Sequence, residues 1–273
     1  MEINNCCFSL RDYNKACWII EQQCNLNCEF CFHNQFETKK NCENNGFSDY
    51  MVILSQLREK NIRHVILSGG EPLLSPDLFN IISLLQENGF SIGISTNAVN
   101  ATPAFCRKLK QTTVNKITVN LAPICDNNGK ITQNNNSTII INGIQNLTSS
   151  GFFVTLNNIL HKSTTKDILI QNIEYAIQWG AKAISFTVPV CKSFSECYTN
   201  DYFIEDQTVE KLRIFLEEIE KQMKPSICIT LNCPKCFSNN CPANTEIFGV
   251  GWDKKLSTCL VKQYQILPQL ETL

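Results

Sequence analysis

The chain has 273 residues, 16 of them cysteine, and a formal net charge of −1 from 24 basic and 25 acidic side chains. That length can bury a large core, and the even charge balance excludes the electrostatic footprint of a nucleic-acid or anionic-membrane binder. No apolar run reaches spanning length and residues 1–16 are too polar for a signal peptide, which predicts a soluble cytoplasmic protein whose cysteines serve metal or catalytic chemistry rather than disulfides.

The first predicted strand, Cys17–Ile20, runs into Cys24-Asn25-Leu26-Asn27-Cys28-Glu29-Phe30-Cys31. Three cysteines spaced by three and then two residues can turn their thiolates toward one point. Thiolates are the usual ligands of iron–sulfur clusters, and a four-iron cubane held by three of them keeps one iron open to a non-protein ligand. A structural zinc is the other reading: it takes four ligands, and His33 or Cys42 can complete the set. Cys6, Cys7, Cys17, Cys106 and Cys125 are scattered and read as isolated thiols.

Helix and strand patterns then alternate, the mark of an α/β protein with a parallel sheet. Ser48 can cap a helix whose Tyr50, Ile53, Leu54 and Leu57 share one face. Strand Val65–Leu67 enters Ser68-Gly69-Gly70-Glu71-Pro72. Ser75-Pro76-Asp77 predicts a helix start, with Leu78, Ile81, Ile82 and Leu85 buried and Gly89 as its stop. Further units follow: strand Ile92–Ser95 with a helix near 102–111, Ile117–Leu121 with 137–149, Phe152–Ile159 with 166–179, and Ala183–Val190 with 206–223. The last helix turns Val209, Leu212, Leu216, Ile219 and Met223 inward. Right-handed crossovers curl six such units into a partial parallel (β/α)6 barrel over residues 1–225, with a doubly wound open sheet as the alternative. A barrel places its site at the C-terminal strand ends, where each of these motifs falls.

CxxxCxxC after a short apolar strand, followed one unit later by Gly69-Gly70-Glu71-Pro72, resembles the radical S-adenosylmethionine (SAM) enzyme family. The resemblance implies that Cys24, Cys28 and Cys31 hold a [4Fe–4S] cluster whose open iron binds SAM. It also implies that SAM is cleaved reductively to methionine and a 5′-deoxyadenosyl radical, which takes hydrogen from a substrate. The GGEP segment then seats the methionine; glycines without a Cβ suit close backbone approach to a ligand. Ser95 and Asn97, with Asn120 and Asn158 on later strands, are expected to line the SAM pocket, although asparagine at a strand end is also a common turn former. Backbone around Thr187–Pro189 is the expected adenine contact.

From residue 226 the pattern changes. A short strand, Ile227–Leu231, precedes Cys233, Cys236, Cys241 and Cys259, spaced C-x2-C-x4-C-x17-C, four thiols able to close around zinc or a second cluster. Gly251–Cys259 resembles the hairpin of SPASM and twitch extensions. Two departures stand out: Lys254 occupies the expected turn glycine, and Leu260–Leu273 is short for the cysteines of a second auxiliary cluster. A twitch-like extension over 226–273 with one auxiliary [4Fe–4S] cluster is expected. Cys191 and Cys197 flank a polar loop after the sixth strand, where a thiol is either an idle loop cysteine or, as epimerase-type radical chemistry requires, a donor of a hydrogen atom to a substrate radical.

Such extensions imply a ribosomally synthesised peptide as substrate, epimerised or cross-linked through a thioether or similar bond. The residues before the first strand are too few for a separate leader-binding domain. A small metabolite (sugar, alcohol or nucleotide) is the alternative substrate, and an iron–sulfur electron carrier is the alternative of another class. The resemblance also implies a reductant such as flavodoxin or ferredoxin.

Overall fold

β1 (Lys15–Glu21) is hydrogen bonded on both sides, in parallel to β2 (His64–Gly69) and in parallel to β8 (Ile247–Val250). A strand in that position is covered on both faces, which accounts for its near-continuous apolar run with Ala16, Trp18, Ile19 and Ile20 buried. The computed structural model describes residues 14–28, 31, 47–121, 137–188, 204–223, 226–232, 247–251 and 256–257.

Two compact units share the chain. The first contains β1, α1 (Phe47–Glu59), β2, α2 (Leu78–Glu87) and β3 (Ser91–Thr96), with β8 and β9 (Leu256–Ser257). Its strand order is β3-β2-β1-β8-β9, parallel except for the antiparallel β8–β9 hairpin. The second contains α3 (Pro103–Leu109), β4 (Lys116–Leu121), α4 (Ser137–Ser149), β5 (Phe153–Ile159), α5 (Lys166–Gln178), β6 (Ala183–Thr187), α6 (Asp206–Met223) and β7 (Cys228–Asn232). Its order is β4-β5-β6-β7, parallel throughout.

Four helices hand the chain to the next strand by one device. After α2, Gly89 at φ 77° lets its own N–H reach the Gln86 carbonyl (3.0 Å) and the Phe90 N–H reach that of Leu85 (3.0 Å). Gly180 does the same after α5, and Gly151 after α4. These are Schellman closures, which satisfy the orphan carbonyls of the last turn. After α1 the position is filled by Asn61 at φ 54°, the non-glycine residue that best tolerates left-handed backbone.

The predicted elements all occur, with shifted ends. α2 begins at Leu78, not at Ser75-Pro76, because Pro72–Leu74 forms a separate 3-10 turn. The Asp77 carboxylate makes no cap bond; it accepts instead from the Tyr50 hydroxyl (3.0 Å) and from Asn80 (3.3 Å). In α6, Val209, Leu212 and Leu216 are buried, while Ile219 and Met223 are only half covered. The expected extension adds to two sheet edges: β7 extends the run beyond β6, and β8 sits beside β1. Among the described residues no helix is long and apolar enough to cross a membrane.

Candidate functional site

The segment entering the cysteine loop is pinned from two directions. Where β1 ends, Oε1 of Glu21 accepts the backbone N–H groups of Gln22 (2.8 Å) and Gln23 (2.9 Å). From the end of β2, the Gly70 N–H donates to the Glu21 carbonyl (2.8 Å) and the Glu71 N–H to the Gln23 carbonyl (2.8 Å). This contact explains the two glycines. A Cβ at Gly69 would run into the Glu21 carbonyl, and one at Gly70 into the carbonyls of Gln22 and Gln23. The close approach these glycines permit is therefore first of all to the chain itself.

Beyond that clamp, the Leu26 N–H points at Cys24 Sγ (3.4 Å) and the Cys31 N–H closes a turn onto the Cys28 carbonyl (3.1 Å). Cys24 is exposed, Cys28 and Cys31 half-buried, and none of the three is in a disulfide. Burial, and then the neighbouring Cys31 and Cys24 thiolates, push the Cys28 thiol up to about 11. The Cys28 thiol thus holds its proton until a cation shares its charge. Among the described residues no three Cys, His, Asp or Glu side chains are gathered tightly enough for a single ion. A cubane takes one thiolate per iron and so holds its sulfurs farther apart than tetrahedral zinc does. Three soft thiols in one loop are the donor set such a cluster takes.

Glu71 is fully buried. Its Oε1 accepts the Leu73 N–H (3.0 Å), capping the 3-10 turn, and the Thr96 hydroxyl (2.6 Å) at the end of β3. Pro72 opens that turn and is buried, and the Ser75 hydroxyl reaches back to the Ile20 carbonyl (3.5 Å). The GGEP segment thereby ties the ends of β1, β2 and β3 together. From the polar segment Ser95-Thr96-Asn97 the sequence reading took Ser95 and Asn97 as site residues, and it is Thr96 between them that meets Glu71. Strand alternation carries the signal, because Thr96 shares the face of buried Ile92 and Ile94 while Ser95 takes the opposite, half-exposed face.

The second unit holds the other predicted polar residues. The Asn97 side chain is buried and accepts the Val99 N–H (3.0 Å), a turn-forming bond. Ala98 follows at φ 63°. On one face of β4–β6 runs a hydrogen-bonded ladder: Asn157 Nδ2 to Asn120 Oδ1 (2.9 Å), and Thr187 Oγ1 to Asn157 Oδ1 (2.6 Å). Asn158 does not join it. Asn120 pairs with Asn157 across the strands, and a period of two turns Asn158 to the other, buried face. There its Nδ2 has no partner among the described residues. Asn157 is the residue that sequence reasoning missed; a one-residue shift of register decides which of two adjacent asparagines faces Asn120.

Cys17 lies on β1, outside the loop. Burial pushes its thiol up to about 11, opposed by a hydrogen bond with Ser68. Cys191, Cys197, Cys233, Cys236, Cys241 and Cys259 lie outside the described residues, as do His33, Cys42, Pro189 and residues 252–255.

The radical SAM superfamily profile matches residues 18–176. The chain is 22% identical over 263 residues to a PqqA peptide cyclase of Methylorubrum extorquens, covering 91% of this chain and 64% of the cyclase. It is 24% identical over 163 residues to a GTP 3′,8-cyclase of Campylobacter lari, covering 58% of this chain and 50% of that protein. It therefore spans between half and two thirds of these curated relatives. Its fold matches Streptococcus suis SuiB, solved bound to the precursor peptide SuiA, with a TM-score of 0.69 and 14% identity over 93% of this chain and 61% of SuiB. That likeness bears out the parallel α/β architecture expected of a partial barrel.

Proposed function

Because the chain belongs to the radical SAM superfamily, we propose that it is an enzyme that cleaves SAM reductively at a [4Fe–4S] cluster held by Cys24, Cys28 and Cys31. When bound, the cluster supplies the electron that splits SAM into methionine and a 5′-deoxyadenosyl radical. The protein's own share is placement. Glu21–Gln23, clamped between their own carboxylate and the backbone of Gly70 and Glu71, fix where Cys24 leaves the sheet. The buried Glu71 carboxylate, held by Thr96, keeps the Gly69–Pro72 backbone in position to seat the methionine moiety. In the other unit, the Asn120–Asn157–Thr187 ladder presents amide and hydroxyl groups on one face of β4–β6.

The single observation that carries this reading is the clamp: the two glycines of GGEP let β2 press against the start of a loop with three cysteines. Cys233, Cys236, Cys241 and Cys259 are assigned to an auxiliary [4Fe–4S] cluster, and Cys191 and Cys197 to hydrogen-atom donation. The substrate assigned is a ribosomally synthesised peptide, epimerised or cross-linked, with electrons from a flavodoxin or ferredoxin in the cytoplasm. Supporting it are the fold likeness to SuiB with its precursor peptide and the span shared with the PqqA peptide cyclase. A nucleotide substrate is the second reading, favoured by 25% identity over 263 residues to a probable GTP 3′,8-cyclase of Methanocaldococcus jannaschii, 87% of whose length is covered.

Anaerobic reconstitution with iron and sulfide counted, followed by an assay for 5′-deoxyadenosine under reductant, tests the proposal. About eight irons per chain with SAM cleaved is the expected result, two four-iron cubanes. About four irons with cleavage removes the auxiliary cluster. Iron without cleavage moves the protein to an electron carrier.

A further inference from the structure

Glu21 does more with its carboxylate than the turn requires. Two consecutive backbone N–H groups, those of Gln22 and Gln23, converge on one of its oxygens at 2.8 and 2.9 Å. Such a pair of N–H groups forms a small anion-binding concavity. Here the chain fills it with its own side chain, three residues before Cys24. The Glu21 and Gln23 carbonyls are meanwhile taken by Gly70 and Glu71, so the carboxylate sits on a segment held at both ends. An asparagine, glutamine or threonine oxygen can accept the same two hydrogen bonds. What a carboxylate adds is a negative charge on a half-buried residue three positions before the first cysteine of the loop.

Net charge and hydrogen bonds to the sulfurs are the levers by which a protein sets a cluster's reduction potential. A fixed negative charge opposes the arrival of an electron and lowers the potential. The Leu26 N–H aimed at Cys24 Sγ at 3.4 Å acts in the opposite sense. We infer that Glu21 is a positioning residue with a second role, in which its carboxylate both orders the entry to the cysteine loop and holds the potential of the cluster low. This rests on the assignment of Cys24, Cys28 and Cys31 as cluster ligands.

The test is a redox titration, followed by electron paramagnetic resonance, on the reconstituted full chain and on Glu21→Gln, Glu21→Thr and Glu21→Asp. The expected result is a midpoint displaced to more positive potential in both neutral variants. Glu21→Asp, which keeps the charge, stays at the wild-type value. Glu21→Gln or Glu21→Thr loading normally and titrating with the wild type overturns the inference while leaving the cluster assignment intact. Loss of loading in both neutral variants but not in Glu21→Asp assigns the charge to assembly and overturns the inference as stated. A wild-type chain that takes up no iron overturns the cluster assignment and this inference together.

Discussion

The Thr96 hydroxyl donates a 2.6 Å hydrogen bond to Oε1 of Glu71, a carboxylate with no solvent exposure. The two residues end neighbouring strand–turn segments 25 positions apart, and their bond crosses from the GGEP turn to β3. Removing a partner from a buried acceptor costs more than the bond itself is worth, because the acceptor keeps its desolvation penalty. Thr96→Val is nearly isosteric and should destabilise the fold by about 1–3 kcal/mol in a denaturant titration. A midpoint indistinguishable from wild type would show that this bond does not hold the turn.

Glycine 70 gives a sharper test, because a small substitution meets backbone there. The Cβ of Gly70→Ala meets the Gln22 and Gln23 carbonyls first, and main chain gives way less readily than a flexible side chain. The expected cost is about 1–3 kcal/mol or more, with a parallel loss of iron uptake. Gly89→Ala is the control: nothing lies within 4 Å of its Cβ, and only the left-handed backbone opposes it, at about 1–2 kcal/mol. Iron content should therefore fall in the first variant and stay whole in the second. Equal iron in both would separate the glycine clamp from cluster binding.

Asn172 on α5 is fully buried, with neither amide atom partnered among the described residues. An unsatisfied buried polar group costs about 1–3 kcal/mol, and an apolar side chain of similar shape removes that cost. Asn172→Leu should raise the unfolding free energy by a value in that range. Destabilisation instead would reveal a buried water or another partner at the amide.

The cysteines divide by position. Cys24→Ala, Cys28→Ala and Cys31→Ala should each remove about four irons from the reconstituted chain, the content of one cubane. Cys17→Ala, which alters a thiol on β1 bonded to Ser68, should keep them. Iron lost equally in all four variants would point to general misfolding rather than ligation.

Asn157 and Asn158 are adjacent, yet the two should respond differently. Asn157→Ala breaks both bonds of the ladder and should lower the unfolding free energy by about 1–3 kcal/mol in a denaturant titration. Asn158→Ala removes an amide nitrogen that has no partner among the described residues and should cost less. The reverse order would show that the ladder does not hold β4–β6 together.

The alternation of elements, the glycine stop at Gly89, and the pairing of a three-cysteine loop with GGEP were all legible in the sequence. Each is local: a few adjacent residues carry the periodicity, the left-handed turn or the ligand spacing. What tertiary structure decided is what those residues touch. Only strand register shows that Asn157, not Asn158, shares a face with Asn120, since a shift of one residue exchanges the two faces of a strand. Only the approach of β2 to β1 shows that Gly69 and Gly70 are glycine because the carbonyls of residues 21–23 leave no room for a Cβ. The carboxylates of Glu21 and Glu71 look alike as letters. One ends up binding two N–H groups at the mouth of the cysteine loop, and the other is sealed under Thr96, because long-range backbone pairing places them there.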